Sequence, residues 1–311
     1  MKKDISWMKG SFGISSHYTQ PLVEKRSNGT VTYAEAIDKL EVERLADDLL
    51  KMGCTHYFFT LTHATQHLPF PCKALDEVLQ GRTCKRDFLG ELIKALKVRG
   101  IRLIVYYNHS CNGDDDIAWK EACGYAKGGK DALDKFADNI CNIVREISMR
   151  YGEGISGWWF DSGYSVDPRG INNTITTDMA DWLFPWEKLA SSAEAGNPNT
   201  AITINSGIGE HFRYYNDIDY WAGEMYELDY EPTCKSDDLQ QTRWLPIEGN
   251  YAWVLGAHCK DFLPSSYKEE DIKRYLEVQL KAGNMVTFNV LTDIDGTINP
   301  MIVEFFKNIK K

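Results

Sequence analysis

The chain contains no run of 18 apolar residues, so no membrane-spanning helix is expected from it. It also lacks a basic block. Lys and Arg number 35 against 45 Asp and Glu, a formal net charge of −10, which argues against nucleic acid or an anionic membrane surface as a partner. None of the cysteines at 54, 72, 84, 111, 123, 141, 234 and 259 forms a CxxC pair, which excludes zinc ribbons and thioredoxin-type redox motifs. A chain this long does not depend on bridges, so free thiols are expected. No GxGxxG turn follows a strand candidate, which weighs against a doubly wound dinucleotide fold. No Pro- or Ser-rich linker divides the sequence, so residues 1–311 read as one domain. The opening Met1-Lys2-Lys3-Asp4-Ile5-Ser6-Trp7 has no apolar signal core. A cytoplasmic chain, or one whose signal has been trimmed, is the expectation.

What is present is ordinary globular composition, with 43% hydrophobic and 26% charged residues in 311. Nine Trp and sixteen Tyr are present; many must be core, and an excess near strand ends would also suit stacking on sugar faces. Eight short segments rich in β-branched or aromatic residues, each bounded by turn residues, read as strands. They are 11–18, 56–64, 102–109, 157–163, 201–207, 219–226, 250–256 and 285–292. Helical periods lie between them. Leu89, Leu92, Ile93 and Leu96 share one face, with Asp87 placed as an N-cap and Gly100 as a stop. Ile272, Tyr275, Leu276 and Leu280 repeat the pattern before Gly283, and residues 131–150 carry Leu133, Phe136, Ile140, Val144 and Ile147. Alternating β and α units imply a parallel sheet, and eight of them imply an α/β fold closed into a (β/α)8, TIM-like barrel.

Active sites of such barrels sit at the C-terminal ends of the strands. That rule selects His17, His63, Tyr107, Asn108, Asp161, Asn205, Glu224 and Asn289. Two of these are carboxylates. Asp161 ends the apolar run Gly157-Trp158-Trp159-Phe160, and an unpaired acid buried there would be costly unless it had a task. Glu224 ends the sixth segment, with Glu227, Glu231 and Glu248 near enough to substitute for it. Two carboxyl groups flanking a bond are what glycosidic cleavage needs. A metal site is not expected. His63 and His67 stand four apart, but residue 64 is Ala, not the Glu of HExxH, and no set of three or four ligands converges. Asp293-Ile294-Asp295-Gly296 lacks the remaining ligands of a calcium loop and reads as a turn. No cofactor is expected.

Several motifs, in order, resemble the family 29 glycoside hydrolases, the α-L-fucosidases. Phe12-Gly13-Ile14 through His17 resembles their FGIFIHWG opening, and Phe59-Thr60 through His63 falls at their LTxKHH strand. Lys85-Arg86-Asp87-Phe88 and then Gly100-Ile101-Arg102-Leu103 to Tyr106-Tyr107 resemble KRDLV…GLKFGVYYS. Trp159-Phe160-Asp161 resembles WFDG, and Asp219-Tyr220 to Glu224 has the spacing of DFxTPE. Gly283-Asn284-Met285 to Asn289, then Asp293 to Ile298, resembles GNLLLNVGPDADGTI. The departures are Thr62 and Ala64 in the KHH position, Tyr18-Thr19 after the first histidine, Ser162 for the WFDG glycine and Leu291-Thr292 after the last Asn.

The resemblance implies a retaining glycosidase acting on fucosylated or related glycans, with Asp161 as nucleophile and Glu224 as acid/base. It implies a sugar pocket lined by His17, His63, Tyr107, Trp159, Arg213 and Tyr251. It leaves no length for the family's usual C-terminal β-sandwich. Two readings compete with it. A carbohydrate-binding pseudoenzyme on the same barrel would bind aryl glycosides without cleaving them. A metal-dependent hydrolase or phosphate-binding aldolase would need ligands or a Gly-rich loop that the sequence does not supply.

Overall fold

The computed structural model describes residues 3–111, 116–125, 129–170, 182–231, 239–247, 253 and 267–309. Seven strands run parallel among them: β1 (Phe12–Ser16), β2 (His56–Thr62), β3 (Arg102–Tyr107), β4 (Gly157–Phe160), β5 (Ala201–Ile204), β6 (Thr242–Pro246) and β7 (Met285–Asn289). Their order in the sheet is β5-β4-β3-β2-β1-β7-β6. The helices that separate them are α1 (Gln20–Ser27), α2 (Tyr33–Lys39), α3 (Val42–Met52), α4 (Lys73–Val78), α5 (Phe88–Lys97), α6 (Ile117–Cys123), α7 (Lys130–Tyr151), α8 (Gly163–Val166), α9 (Trp186–Glu194), α10 (Glu269–Lys281) and α11 (Pro300–Ile309).

The predicted strand at 219–226 is not one. It is an extended segment that carries single parallel bridges, Tyr220 to Gln240 and Glu224 to Trp244. It still fills a strand's place. On one side the Asp219 N–H donates to the Ile202 carbonyl at 2.8 Å; on the other Trp244 N–H donates to Gly223 and Met225 N–H to Trp244, both at 2.8 Å. It thus joins β5 to β6 and closes an α/β, TIM-like barrel. Of the strand expected at 250–256 only Trp253 is described, outside any strand; the rest of that stretch lies outside the described residues. A strand the sequence does not suggest is β6, Thr-Arg-Trp-Leu-Pro, whose charge and proline hide it from a search for apolar runs.

Strands of this barrel are buried on both faces, which is why they read as near-continuous apolar runs. Alternate residues separate two cores. Phe58, Ile104, Tyr106, Trp159, Ala201, Tyr220, Ala222, Trp244 and Met285 fill the barrel, with Met8 of the N-terminal turn beneath them. Their neighbours pack outward against the helices. The 22-residue α7 buries Leu133, Phe136, Ile140, Val144 and Ile147 in that outer layer.

Helix α5 begins at the expected cap. The Asp87 carboxylate accepts from the Gly90 N–H at 3.0 Å and from the Tyr151 hydroxyl at 2.6 Å, tying the start of α5 to the end of α7. Asp87→Ala removes both bonds. It should destabilise by about 1–2 kcal/mol, a fall of roughly 2–6 °C in a thermal melt. An unchanged melting temperature would mean that the cap carries no weight.

Candidate active site

Three strand ends and the closing segment bring the site together. Asp161 follows β4 by one residue, and its own N–H donates to the Tyr107 carbonyl at 2.9 Å, which fixes its backbone to β3. Parity then decides what surrounds it. In the β3–β4 ladder Tyr106 is registered with Trp159. Both face inward, so the next inward residues, Asn108 and Asp161, meet at the mouth. The Asn108 amide donates to Asp161 Oδ2 at 2.8 Å and the Tyr106 hydroxyl donates to the same oxygen. Burial, followed by the Asp161 charge, holds the Tyr106 phenol well above its usual range, so it stays a donor.

Asn205, one residue past β5, is buried between two acids. Its amide nitrogen donates to Asp161 Oδ1 at 2.9 Å and to Glu224 Oε2 at 2.6 Å. Those two lengths laid end to end put the carboxylate oxygens within about 5.5 Å of each other, inside the range where one acid can attack while its partner transfers a proton. The proton affinity of Glu224 is raised to about 8. Burial is the main cause and the nearby Asp161 charge the second, with the Asn205 hydrogen bond opposing them. Glu227 and Glu231 are exposed beyond the closing segment, and Glu248 lies outside the described residues.

His17 and His63 form the facing wall. The β2–β3 register slips between Thr60 and Thr62. In β2 the even-numbered residues face inward before this bulge, and the extra residue lets odd-numbered His63 join them. Its ring centroid is 5.2 Å from His17 and 5.9 Å from Tyr106. His17 stacks on Trp244 at 5.6 Å, and its Nδ1 pairs with Asn289 Oδ1 at 2.9 Å. Burial, then the His63 charge, lowers its proton affinity to about 3, so it is a neutral imidazole. Trp159 forms the floor, stacked on Tyr106 at 5.1 Å and donating its indole N–H to the Ala222 carbonyl at 3.1 Å.

Two expected pocket residues point elsewhere. Tyr107 faces the helical layer, where its hydroxyl donates to Gln66 at 3.0 Å; Tyr106, its neighbour in sequence, has the inward parity. Arg213 lays its guanidinium over the Trp221 ring at 5.3 Å and lines a groove with Lys3, Glu194 and Asp219, by the N-terminal ends of the strands. Tyr251 lies outside the described residues. Sequence reasoning missed Tyr106, Trp244 and Trp253. Counting back in twos from Asp161 gives Trp159, and parallel register then gives Tyr106. No comparable signal exists for Trp253, which stands 4.6 Å from Trp244 outside any strand.

The WFDG departure has a backbone reading. Ser162 has φ +61°, a left-handed conformation that glycine adopts without strain. Here the serine hydroxyl accepts from Asn108 at 3.0 Å, the amide that also holds Asp161. Among the described residues no three of His, Cys, Asp and Glu gather as a metal ion would require. Cys54, Cys72, Cys84, Cys111, Cys123 and Cys141 are buried thiols, none of them in a disulfide. Residues 293–296 form a turn, closed by the Gly296 N–H on the Asp293 carbonyl at 2.9 Å.

Residues 6–311 match the family model described as alpha-L-fucosidase. No curated protein sequence matches the chain. Among solved structures, an alpha-L-fucosidase of family GH29 from Bacteroides thetaiotaomicron is 17% identical with a TM-score of 0.65, over 99% of this chain and 74% of that one. A GH29 alpha-L-fucosidase from the same organism, trapped as a covalent intermediate in complex with 2-fluoro-fucosyl fluoride, is 18% identical with a TM-score of 0.67, covering 98% and 72%. An endo-fucoidan hydrolase from glycoside hydrolase family 107 is 15% identical with a TM-score of 0.68, covering 97% of this chain and 52% of that one. At these identities the likeness is one of fold. The chain spans about half the length of that hydrolase and about three quarters of the fucosidases.

Proposed function

We propose that this chain, which belongs to the alpha-L-fucosidase family, hydrolyses α-L-fucosides with retention of configuration, with Asp161 as nucleophile and Glu224 as acid/base. The observation that carries the reading is the pair of carboxylates held on one amide nitrogen, 2.9 and 2.6 Å away, at the C-terminal mouth of the barrel. Asp161 attacks the anomeric carbon and the C–O bond to the leaving group breaks. The leaving oxygen takes the proton of Glu224. The resulting glycosyl ester removes the Asp161 charge, which eases Glu224 into its ionised form. Glu224 then takes a proton from water as the water oxygen displaces Asp161, and the sugar leaves with its original anomeric configuration.

The surroundings suit these roles. Tyr106, Asn108 and Asn205 are neutral donors aimed at Asp161, so the carboxylate is held as an acceptor and aligned without a competing cation. Trp253, only partly buried, offers an aromatic face to the apolar side of a sugar, packed on the buried Trp244 and Trp159 beneath it, and His17 and His63 offer ring nitrogens to its hydroxyls. The covalent intermediate trapped on the Bacteroides fucosidase supports the same two-step course here.

A panel of 4-nitrophenyl glycosides, with a fucoidan polymer beside it, tests the reading. Release of nitrophenol from the α-L-fucoside, with α-L-fucose as the first-formed product by NMR, is expected. Cleavage confined to another glycoside would overturn the substrate. First-formed β-L-fucose would overturn the mechanism. Binding of fucose without cleavage of any substrate would leave a carbohydrate-binding protein in its place.

A further inference from the structure

We infer that Asn205 is a positioning residue for the reaction: one neutral amide, shared between Asp161 and Glu224, sets the spacing of the two acids and holds each toward the bond to be cleaved. The inference rests on the reading that these two carboxylates are nucleophile and acid/base.

Three features of Asn205 carry it. The first is orientation. Its side-chain oxygen accepts from the Gly207 N–H at 3.1 Å, so the amide cannot turn over, and the NH2 group must be the end that faces the acids. That group has two protons, and each has one carboxylate oxygen to meet. The second is anchorage. The Asn205 N–H donates to the Phe160 carbonyl at 2.8 Å, which locks the backbone one residue past β5 to the residue before the nucleophile. The amide therefore moves with Asp161, not independently of it. Glu224 belongs to the closing segment, whose backbone is held to β6 by isolated bridges, and Asn205 ties its side chain to the end of β5.

The third feature is charge. An Arg or Lys at 205 would attract both carboxylates and favour the doubly ionised pair, leaving Glu224 without a proton to give. An Asp there would add a third negative charge. A neutral amide permits one proton to remain on the pair in the first step. It still donates to Glu224 once that residue has become the base of the second step. Its hydrogen bond lowers the proton affinity of Glu224, against the upward push of burial and of Asp161.

The test compares Asn205→Ala and Asn205→Ser with wild type, Asp161→Asn and Glu224→Gln on a fucosyl disaccharide, whose sugar leaving group needs the proton of Glu224. Loss of a hydrogen bond to a charged group predicts a fall in kcat of about 10- to 100-fold for Asn205→Ala, with KM changed far less. The alkaline limb of the pH profile should move to higher pH, because the bond that lowers Glu224 is gone. A residue that merely fills space would not move that limb. Asn205→Ser, small and polar, serves if the alanine variant does not fold. A readout independent of turnover is the Glu224 carboxyl titration, followed by 13C NMR in glutamate-labelled protein and assigned by Glu224→Gln. It should also shift to higher pH in the variant. Unchanged kcat, limb and titration in a folded variant would overturn the role of Asn205 while Asp161→Asn and Glu224→Gln remain inactive. Retained activity in those two would overturn the underlying reading instead.

Discussion

Asp161→Asn is expected to lower turnover of an aryl α-L-fucoside by about 10⁴-fold or more, the loss seen when a member of a covalent catalytic unit is removed. The fold should survive, because asparagine fills the same volume at the end of β4. Its one oxygen can keep the two donors now on Oδ2, Tyr106 and Asn108. Its NH2 would face the Asn205 NH2, donor against donor, so a modest fall of a few degrees in melting temperature is expected. The chemical loss is of another order. An amide oxygen does not displace the leaving group to form a stable glycosyl ester, and the negative charge opposite the developing oxocarbenium centre is gone. Asp161→Gly leaves a gap at the same place, and azide should enter it. If Asp161 is the nucleophile, azide then attacks from its side and gives the inverted product, β-L-fucosyl azide. Near-normal turnover by the asparagine variant would refute the assignment, as would azide rescue that yields only the α-azide.

Much of this site could be read from the sequence because barrel strands carry a strong, local signal. β1 to β5 and β7 lie within the segments expected, since those segments are rich in β-branched or aromatic residues and bounded by turns. Asp161 was visible as an acid at the end of an apolar run. β6 was not, because Arg243 and Pro246 interrupt its pattern, and its burial comes from tertiary neighbours that a local reading does not contain. The error at Tyr107 has a different origin. The motif placed two tyrosines together, and only the pairing of Tyr106 with Trp159 in the ladder says which one faces inward. His63 depended on the bulge after Thr60, which no composition rule locates. Arg213 is implied only by the resemblance, as a residue a little before the 219–224 stretch, and the fold turns it toward the other end of the barrel. The role of Asn205 rests wholly on three-dimensional convergence, since it is 44 residues from Asp161 and 19 from Glu224.

Glu224→Gln should divide substrates by their leaving groups. A sugar alkoxide leaves poorly without a proton, so cleavage of a fucosyl disaccharide is expected to fall by about 10²- to 10⁴-fold, the usual contribution of a general acid or base. An activated aryl fucoside needs little protonation, so its first step should be far less affected. Its second step loses the base, so the glycosyl ester on Asp161 accumulates and a burst of phenol precedes a slow steady state. Azide needs no base and should restore turnover at that step. It attacks the ester, not the substrate, so the product is the α-L-fucosyl azide, opposite to that from the Asp161→Gly variant. The pH profile gives an independent check. In the proposed mechanism the acid form of Glu224 is the active one in the first step, and its proton affinity is raised to about 8 by burial and by Asp161. Wild-type activity should therefore decline as pH rises through about 8, and that limb should vanish in the glutamine variant. Stability follows the same sign. A carboxyl group whose folded value lies above its unfolded value stabilises the fold below the unfolded value, and that contribution is lost as pH rises to the folded one. The wild type should thus lose stability from about pH 4.5 to about pH 8, and Glu224→Gln should lose less, melting higher relative to wild type at pH 9 than at pH 5. A variant that keeps the alkaline limb and cleaves the disaccharide at the wild-type rate would assign the proton to another acid, with Glu227, Glu231 and Glu248 the next to replace.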